Sequence, residues 1–433
     1  MSNSSNFVQI LFLYTVHCLI PASLLIATPK RSALRYLSIP CAVAIVYRAI
    51  PVATALGPGF VWCECARLFV TIFFQCLNLL LINPKDSNDL PSGGSQSLVA
   101  RIYAAIRLFT DPRGINTPWQ IKNAPPQPAY YKRHDMNTPP RGRFLIRQIS
   151  IVVWQYLALD VFATLALQQA LEHEKSGMLP PVPRWDISTE QWIERIISNL
   201  MAGFVVSRIL IDFHHRVFSI ITVGLGLDSP TNCPPLYGRA MDADTVRGFW
   251  GKFWHQLLQN PLTSVSAFIT QDLLGLRPRS LLQRYMNVFV VFFCSGGLHL
   301  ILDIVQGIPV KESGAMLFFL TAPLGLMIED GLKALWKSFS KSNRPIKKVP
   351  KPLWQRALGL TWSMAWLGVT STGFFYPQVV RPQNQALVPF SVAGRIGLPL
   401  EAGIVLVGGV VLAKVFEVEA HESSLCTLSF EMS

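Results

Sequence analysis

The sequence predicts an all-α, polytopic integral membrane protein of about nine transmembrane helices. Three observations carry this expectation. Of 433 residues, 51% are hydrophobic and only 15% charged, whereas a soluble domain carries about a quarter charged residues. The mean hydropathy is +0.36. Apolar runs long enough to cross a bilayer, about 20 residues each, recur along the chain, and Lys and Arg collect in the loops between them. This composition excludes a disordered, collagen-like or disulfide-stapled chain.

The first run, Phe7 to Ala27, has no cation before it and Lys30, Arg31 and Arg35 after it. A cleavable signal peptide has the opposite charge order, so the run reads as a retained helix with a lumenal N-terminus. The second run, Leu34 to Leu56, contains Arg48 together with Pro40 and Pro51, which can kink it. The third, Gly59 to Ile82, has Glu64 and Arg67 near its start. Residues 83–150 turn polar, with ten Lys/Arg against four Asp, and read as a cytosolic loop. The fourth helix, Ile151 to Leu171, leads into an acidic, lumenal loop. The fifth stretch, Ile196 to Leu227, is too long for one upright helix. Its Arg208, Asp212 and Arg216 stand at i, i+4 and i+8, share one face and can pair. A long tilted helix fits, and so does one that bends to the membrane surface near Phe213-His214-His215. The tandem histidines read as interfacial or structural.

Residues 228–286 form a slightly basic cytosolic or interfacial loop. The sixth and seventh helices, Asn287 to Ile308 and Ala315 to Trp336, are joined by a short lumenal turn. The run of Lys337, Lys341, Arg344, Lys347, Lys348 and Lys351, without an acid, is cytosolic by charge. Leu353 to Tyr376 and Ile396 to Phe416 complete the nine, and residues 1–433 read as one domain. Lys plus Arg total 38 and Asp plus Glu 25, a net charge of +13. With the basic loops all cytosolic, topology accounts for that excess, and no nucleic-acid partner is predicted. The eight Cys lack metal-ligand spacing, and Cys63-Glu64-Cys65 is too tight for a zinc knuckle. They read mostly as small buried apolar side chains, and no metal is predicted.

Ionisable groups deep in a bilayer are costly and therefore functional candidates. His299 lies midway along the sixth helix, after Ser295-Gly296-Gly297-Leu298. The two glycines let another helix or a ligand come close. Asp303, four residues on, shares the face of His299 and can orient the imidazole. A neutral imidazole can take a proton from an alcohol; a histidine bridging to a neighbouring helix is the alternative. The second feature is Phe249-Trp250-Gly251-Lys252-Phe253-Trp254-His255-Gln256. It reads either as an aromatic membrane-surface anchor or as a site at the cytosolic mouth with His255 pointing inward.

These two segments together resemble the paired signature of the membrane-bound O-acyltransferase superfamily, specifically its wax synthase-like branch. Arg113-Gly114-Ile115-Asn116-Thr117-Pro118-Trp119-Gln120-Ile121-Lys122-Asn123 and Pro234-Pro235-Leu236-Tyr237-Gly238 add a likeness to the fungal acetyltransferases that decorate terpenoids and meroterpenoids. The resemblance covers most of the chain in order and spacing. It implies a multi-pass protein of the endoplasmic reticulum in secondary-metabolite biosynthesis. Such an enzyme transfers an acetyl group from acetyl-CoA, an acyl-CoA co-substrate with no tightly bound cofactor, to a hydroxyl of a lipophilic alcohol. His299 matches the family's intramembrane catalytic histidine, and His255 its second polar position, an Asn in many relatives. Trp250, Trp254, Lys252 and Asp303 are the accompanying substrate-binding candidates, although both Trp also suit packing. Lys252, Arg277, Arg279 and Arg284 can meet the CoA phosphates or serve as positive-inside loop charges. Long-chain acyl transfer to wax esters is the alternative within the class. From another class, a transporter would use His299, Asp303 and the Arg208–Asp212–Arg216 face as a path, but the chain lacks the internal repeat of such proteins.

Overall fold

The computed structural model describes residues 3–56, 60–90, 97–128, 130–131, 139–176, 187–339, 352–381 and 387–416. Every regular element among them is helical, the form in which a chain satisfies its own backbone polar groups inside lipid. Among the described residues, seven helices are long and apolar enough to cross a membrane: Ser4–Ala27, Ala33–Leu56, Arg141–Glu172, Thr189–Gly224, Leu281–Val305, Ala315–Phe339 and Leu398–Val415. They correspond to seven of the nine expected spans. The other two are helical but differ. The third runs Phe60–Cys76 and widens into a π-turn over Leu77–Ile82. The eighth breaks after Ser371 into Leu353–Thr370 and Thr372–Val379, and Gln355 and Arg356 dilute its apolar start.

The two expected loops are more ordered than their charge suggests. Within 83–150 a helix forms over Leu98–Thr110, and the last ten residues belong to the 36-residue helix Arg141–Ser176. Reading each Arg as a solvent group hid that start. Arg147 is only 1% exposed, with its guanidinium 5.9 Å from the ring centroids of both Tyr130 and Tyr131. Within 228–286 lies the helix Gln259–Ala267, and the sixth span begins at Leu281. There the Ser280 hydroxyl accepts the Gln283 N–H at 3.2 Å, an N-cap. The fifth span starts at a Ser188–Gln191 capping box, widens to a π-helix over Asn199–Val206 and continues as Ser207–Gly224. It passes unbroken through Phe213-His214-His215.

Two compact units lie within the chain. The first comprises Met1–Lys122 with Leu257–Leu320, the second Asn123–Gln256 with Thr321–Ser433. The first unit packs Ile10, Ile45, Ala49, Phe69, Leu298 and Leu302 into one apolar cluster. His17, buried there, shares a hydrogen bond between Nε2 and the Phe69 carbonyl at 2.9 Å. A second cluster seats Leu108 and Phe109 of the Leu98–Thr110 helix against Leu25, Ile72 and Leu79.

In the second unit, the buried polar face of the fifth span meets the Arg141–Ser176 helix. Arg216 Nε donates to Asp212 Oδ2 at 2.6 Å, and Gln155 donates to the same oxygen at 2.8 Å. The expected pairing is thus made between Asp212 and Arg216, while the Arg208 guanidinium lies over the Tyr237 ring at 4.9 Å. Both tandem histidines bond backbone carbonyls: His214 Nδ1 that of Leu210 at 2.9 Å, and His215 Nε2 that of Pro234 at 3.2 Å. Asp160 Oδ2 accepts the backbone N–H groups of Val392 and Ala393 at 2.5 and 2.9 Å, which fixes the turn before the last span.

Candidate functional site

In the first unit, His299 is half-buried on the Leu281–Val305 helix. Its ring stacks on Phe319 of the next span, with centroids 4.4 Å apart and planes 13° from parallel. The preceding glycines divide two roles. A Cβ at Gly296 would fall 2.9 Å from Met316 Sδ and 3.3 Å from Met316 Cα, so glycine permits the two helices to approach just one turn before His299. A Cβ at Gly297 would meet nothing within 4 Å. That side of the helix is open. Asp303 is 1% exposed, and its Oδ2 accepts the Ser313 hydroxyl at 2.5 Å. Ser313 Oγ in turn accepts the Ala315 N–H at 3.3 Å, so the carboxylate ties the sixth span to the start of the seventh.

In the second unit, Thr245 caps a single helical turn, Val246–Gly248, by accepting the Gly248 N–H at 2.8 Å. The chain then widens into a π-turn over Phe249–Phe253, closed by the Trp254 N–H donating to the Phe249 carbonyl at 2.7 Å. Such turns are frequent at functional sites. Trp254 stacks on Phe249 (5.4 Å, 20°) and meets the edges of Phe204, Tyr237 and Trp250. Gln256 donates to the carbonyls of Trp254 and Trp250 at 2.6 and 3.2 Å. Both indoles are therefore built into an aromatic cluster. His255 lies beside it, 6.0 Å from the Tyr237 ring at 85°.

The other sequence motifs converge on this turn. Asn123 Nδ2, at the end of the Arg113–Asn123 motif, donates to the Gly251 carbonyl at 2.8 Å. Gly238, ending Pro234–Gly238, donates its N–H to the Phe253 carbonyl at 3.0 Å, and a Cβ there would run into the Lys252 carbonyl. Glu329, 5% exposed, accepts the Val246 N–H at 2.6 Å and the Trp362 indole N–H at 3.2 Å. Sequence reasoning missed it, because a lone Glu within the seventh span carries no motif. Lys252 borders a cavity of about 360 Å³ with Arg239, Arg247 and Arg356. Arg277, Arg279 and Arg284, the other cations expected to meet the CoA phosphates, belong to the first unit. Likewise His299 and Asp303 fall in the first unit and Trp250, Lys252, Trp254 and His255 in the second. Among the described residues, no group of three His, Cys, Asp or Glu is placed to hold a metal ion.

Fold and side chains together define a helical, multi-pass membrane protein. It carries the imidazole of His299 packed against the next span and an aromatic, histidine-bearing turn. The family model of the membrane bound O-acyl transferase family matches residues 233–321, which span both. Acetyltransferase pyr8 of Aspergillus fumigatus is 37% identical over 413 residues, 93% of this chain and 95% of its own length. Acetyltransferase atnC of Arthrinium sp is 34% identical over 95% of this chain and 97% of its own. Acetyltransferase TRI7 of Fusarium sporotrichioides is 32% identical over 93% and 94%. The chain belongs to the membrane bound O-acyl transferase family. It is an O-acyltransferase, which needs an acyl donor and an acceptor. No solved structure matches it.

Proposed function

We propose that this protein is an acetyl-CoA-dependent O-acetyltransferase of the endoplasmic reticulum, acting as a single domain on a hydroxyl of a lipophilic terpenoid or meroterpenoid intermediate. The observation that carries this reading is the near full-length likeness to proteins named acetyltransferases; the setting of His299 supplies the chemistry. An alcohol is a poor nucleophile at its free pKa. His299 takes its proton as the oxygen attacks the thioester carbonyl. The Phe319 face beneath the ring stabilises the imidazolium that results. The tetrahedral intermediate then expels the CoA thiolate, which takes the proton back from the imidazolium, and the ester is released. No covalent acyl-enzyme is needed.

The space beside Gly297 suits the approach of a bulky lipid-soluble alcohol along the helix. Asp303 acts as a positioning residue through the turn it closes with Ser313. His255, beside the π-turn of the second unit, is the second catalytic candidate, with orientation of the acyl donor as its role. Trp250 and Trp254 hold the turn that presents it. The test is incubation of microsomes containing the full chain with labelled acetyl-CoA, labelled long-chain acyl-CoA and a panel of terpenoid alcohols. Acetyl ester formation on a polycyclic alcohol is expected. Transfer of long-chain acyl groups alone would make the protein a wax-ester synthase instead.

A further inference from the structure

The cavity beside Lys252 has no role in the chemistry above. Its wall carries five cations, from Arg239, Arg247, Lys252, Lys333 and Arg356, against the carboxylates of Asp242 and Asp244. Arg247 is paired with Asp330 at 2.7 Å, and Lys333 stands 3.9 Å from Glu329. Arg239, Lys252 and Arg356 make no ion pair among the described residues. They reach one cavity from three separate segments: the loop after Gly238, the π-turn, and the Leu353–Thr370 helix.

That convergence is built. Gly248 lies so close to the Asp242 carbonyl, and Gly359 to that of Asp244, that a Cβ at either would collide with it. The Leu353–Thr370 helix is thus held against the 239–253 segment, with Arg356 one turn before the contact. Glu329 fastens the same segment through the Val246 N–H. Positive-inside charges are ordinarily solvated one by one, whereas unpaired cations focused into a concave wall attract a polyanion. Guanidinium groups suit phosphate because they bind two of its oxygens at once. The volume of about 360 Å³ lies at the lower end of ligand cavities, about 300–1,000 Å³, enough for a phosphorylated nucleoside end but not for a whole acyl-CoA.

We propose that Arg239, Lys252 and Arg356 bind the 3′-phosphorylated nucleotide end of the acyl donor. This inference rests on the acyl-CoA reading above. The shared chemistry is a clustered phosphate, which an anionic lipid headgroup also offers, so the test separates the two. The full chain is purified into nanodiscs of zwitterionic lipid, and binding of adenosine 3′,5′-bisphosphate is measured. Combining Arg239→Gln with Arg356→Gln should weaken binding about tenfold or more, while Lys175→Gln, an exposed charge elsewhere, leaves it unchanged. Equal thermal midpoints establish that the double variant is folded; if they differ, Lys252→Gln and Arg239→Gln are compared singly.

Discs containing anionic phospholipid should not displace the probe; displacement would assign the cavity to lipid. In turnover, KM for acetyl-CoA should rise about tenfold in the double variant, with kcat and KM for the alcohol unchanged. With acetyl-dephospho-CoA as the donor, that difference should narrow. Equal probe binding by the double variant and the parent protein overturns the inference, and with normal acetyl transfer it overturns this inference alone. Loss of all acetyl transfer in the parent protein sinks the enzymatic reading, while the probe measurement still reports on the cavity.

Discussion

Replacing Gly296 and Gly297 in turn by alanine separates two neighbouring positions that the sequence makes look alike. At Gly296 the new methyl falls 2.9 Å from Met316 Sδ, 3.3 Å from Met316 Cα and 3.4 Å from Phe319 Cβ, where carbon contacts prefer about 3.5–4.0 Å. The Met316 thioether can swing away. Its Cα cannot, so the two helices must part by a few tenths of an ångström, and overpacking of this kind costs about 1–3 kcal/mol. The displacement also shifts Phe319 beneath the imidazole. At Gly297 the methyl meets nothing within 4 Å, and removing a glycine from a helix gains about 0.5–1 kcal/mol. The expected gap between the variants is therefore about 1.5–4 kcal/mol. It is read as the temperature at which the detergent-solubilised chain loses its monodisperse gel-filtration peak. Gly296→Ala should melt lower and turn over more slowly, and Gly297→Ala should melt at or above the parent. Equal melting of the two, or a lower value for Gly297→Ala, would refute the packing assigned to this helix pair.

Glu329→Gln replaces a buried carboxylate with an amide whose NH2 end faces a donor. Losing one charge-assisted hydrogen bond costs about 1.5–3 kcal/mol, so the 239–253 segment should loosen and trypsin should cut faster at Arg239 and Arg247; unchanged cutting would contradict the fastening role. Asp89 pairs with Lys30 at 2.8 Å and accepts the Asp86 N–H at 2.9 Å. Partial burial pushes its carboxyl up, but Lys30 and the Asp86 amide outweigh that and hold it below the usual carboxylate range. A depressed carboxyl stabilises the fold above its unfolded pKa of about 3.9, and that contribution is lost as pH falls through the folded value. Asp89→Asn should thus melt slightly below the parent at pH 6, with the gap closing below about pH 4; a gap that widens in acid would reverse the sign.

Much of this fold was legible because lipid imposes a length. Runs such as Ala315 to Trp336 could hardly be anything but spans, and the structure extends that one only to Phe339. What stayed hidden depends on partners distant in sequence. The Arg143 and Arg147 that marked a loop lie in the Arg141–Ser176 helix, with Arg147 buried beside two tyrosines. Periodicity cannot report such shelter. The π-turn at Phe249–Phe253 was equally invisible, since Trp250 and Trp254 look one α-turn apart and only the Trp254-to-Phe249 hydrogen bond widens it. The candidate site was half legible. His299 and the aromatic motif were visible as motifs, and Asp303 as a neighbour of His299. The bond from Ser313 to Asp303 and the joining of Arg239 and Arg356 to Lys252 around one cavity required the fold.

The most direct measurement is acetyl transfer by His299→Ala and His299→Gln in microsomes, at matched protein level and matched melting temperature. A general base contributes about 10²–10⁴-fold, so kcat should fall by at least about a hundredfold in both variants, with KM for acetyl-CoA little changed. Turnover within a few-fold of the parent in either folded variant would show that the imidazole at 299 takes no proton from the acceptor.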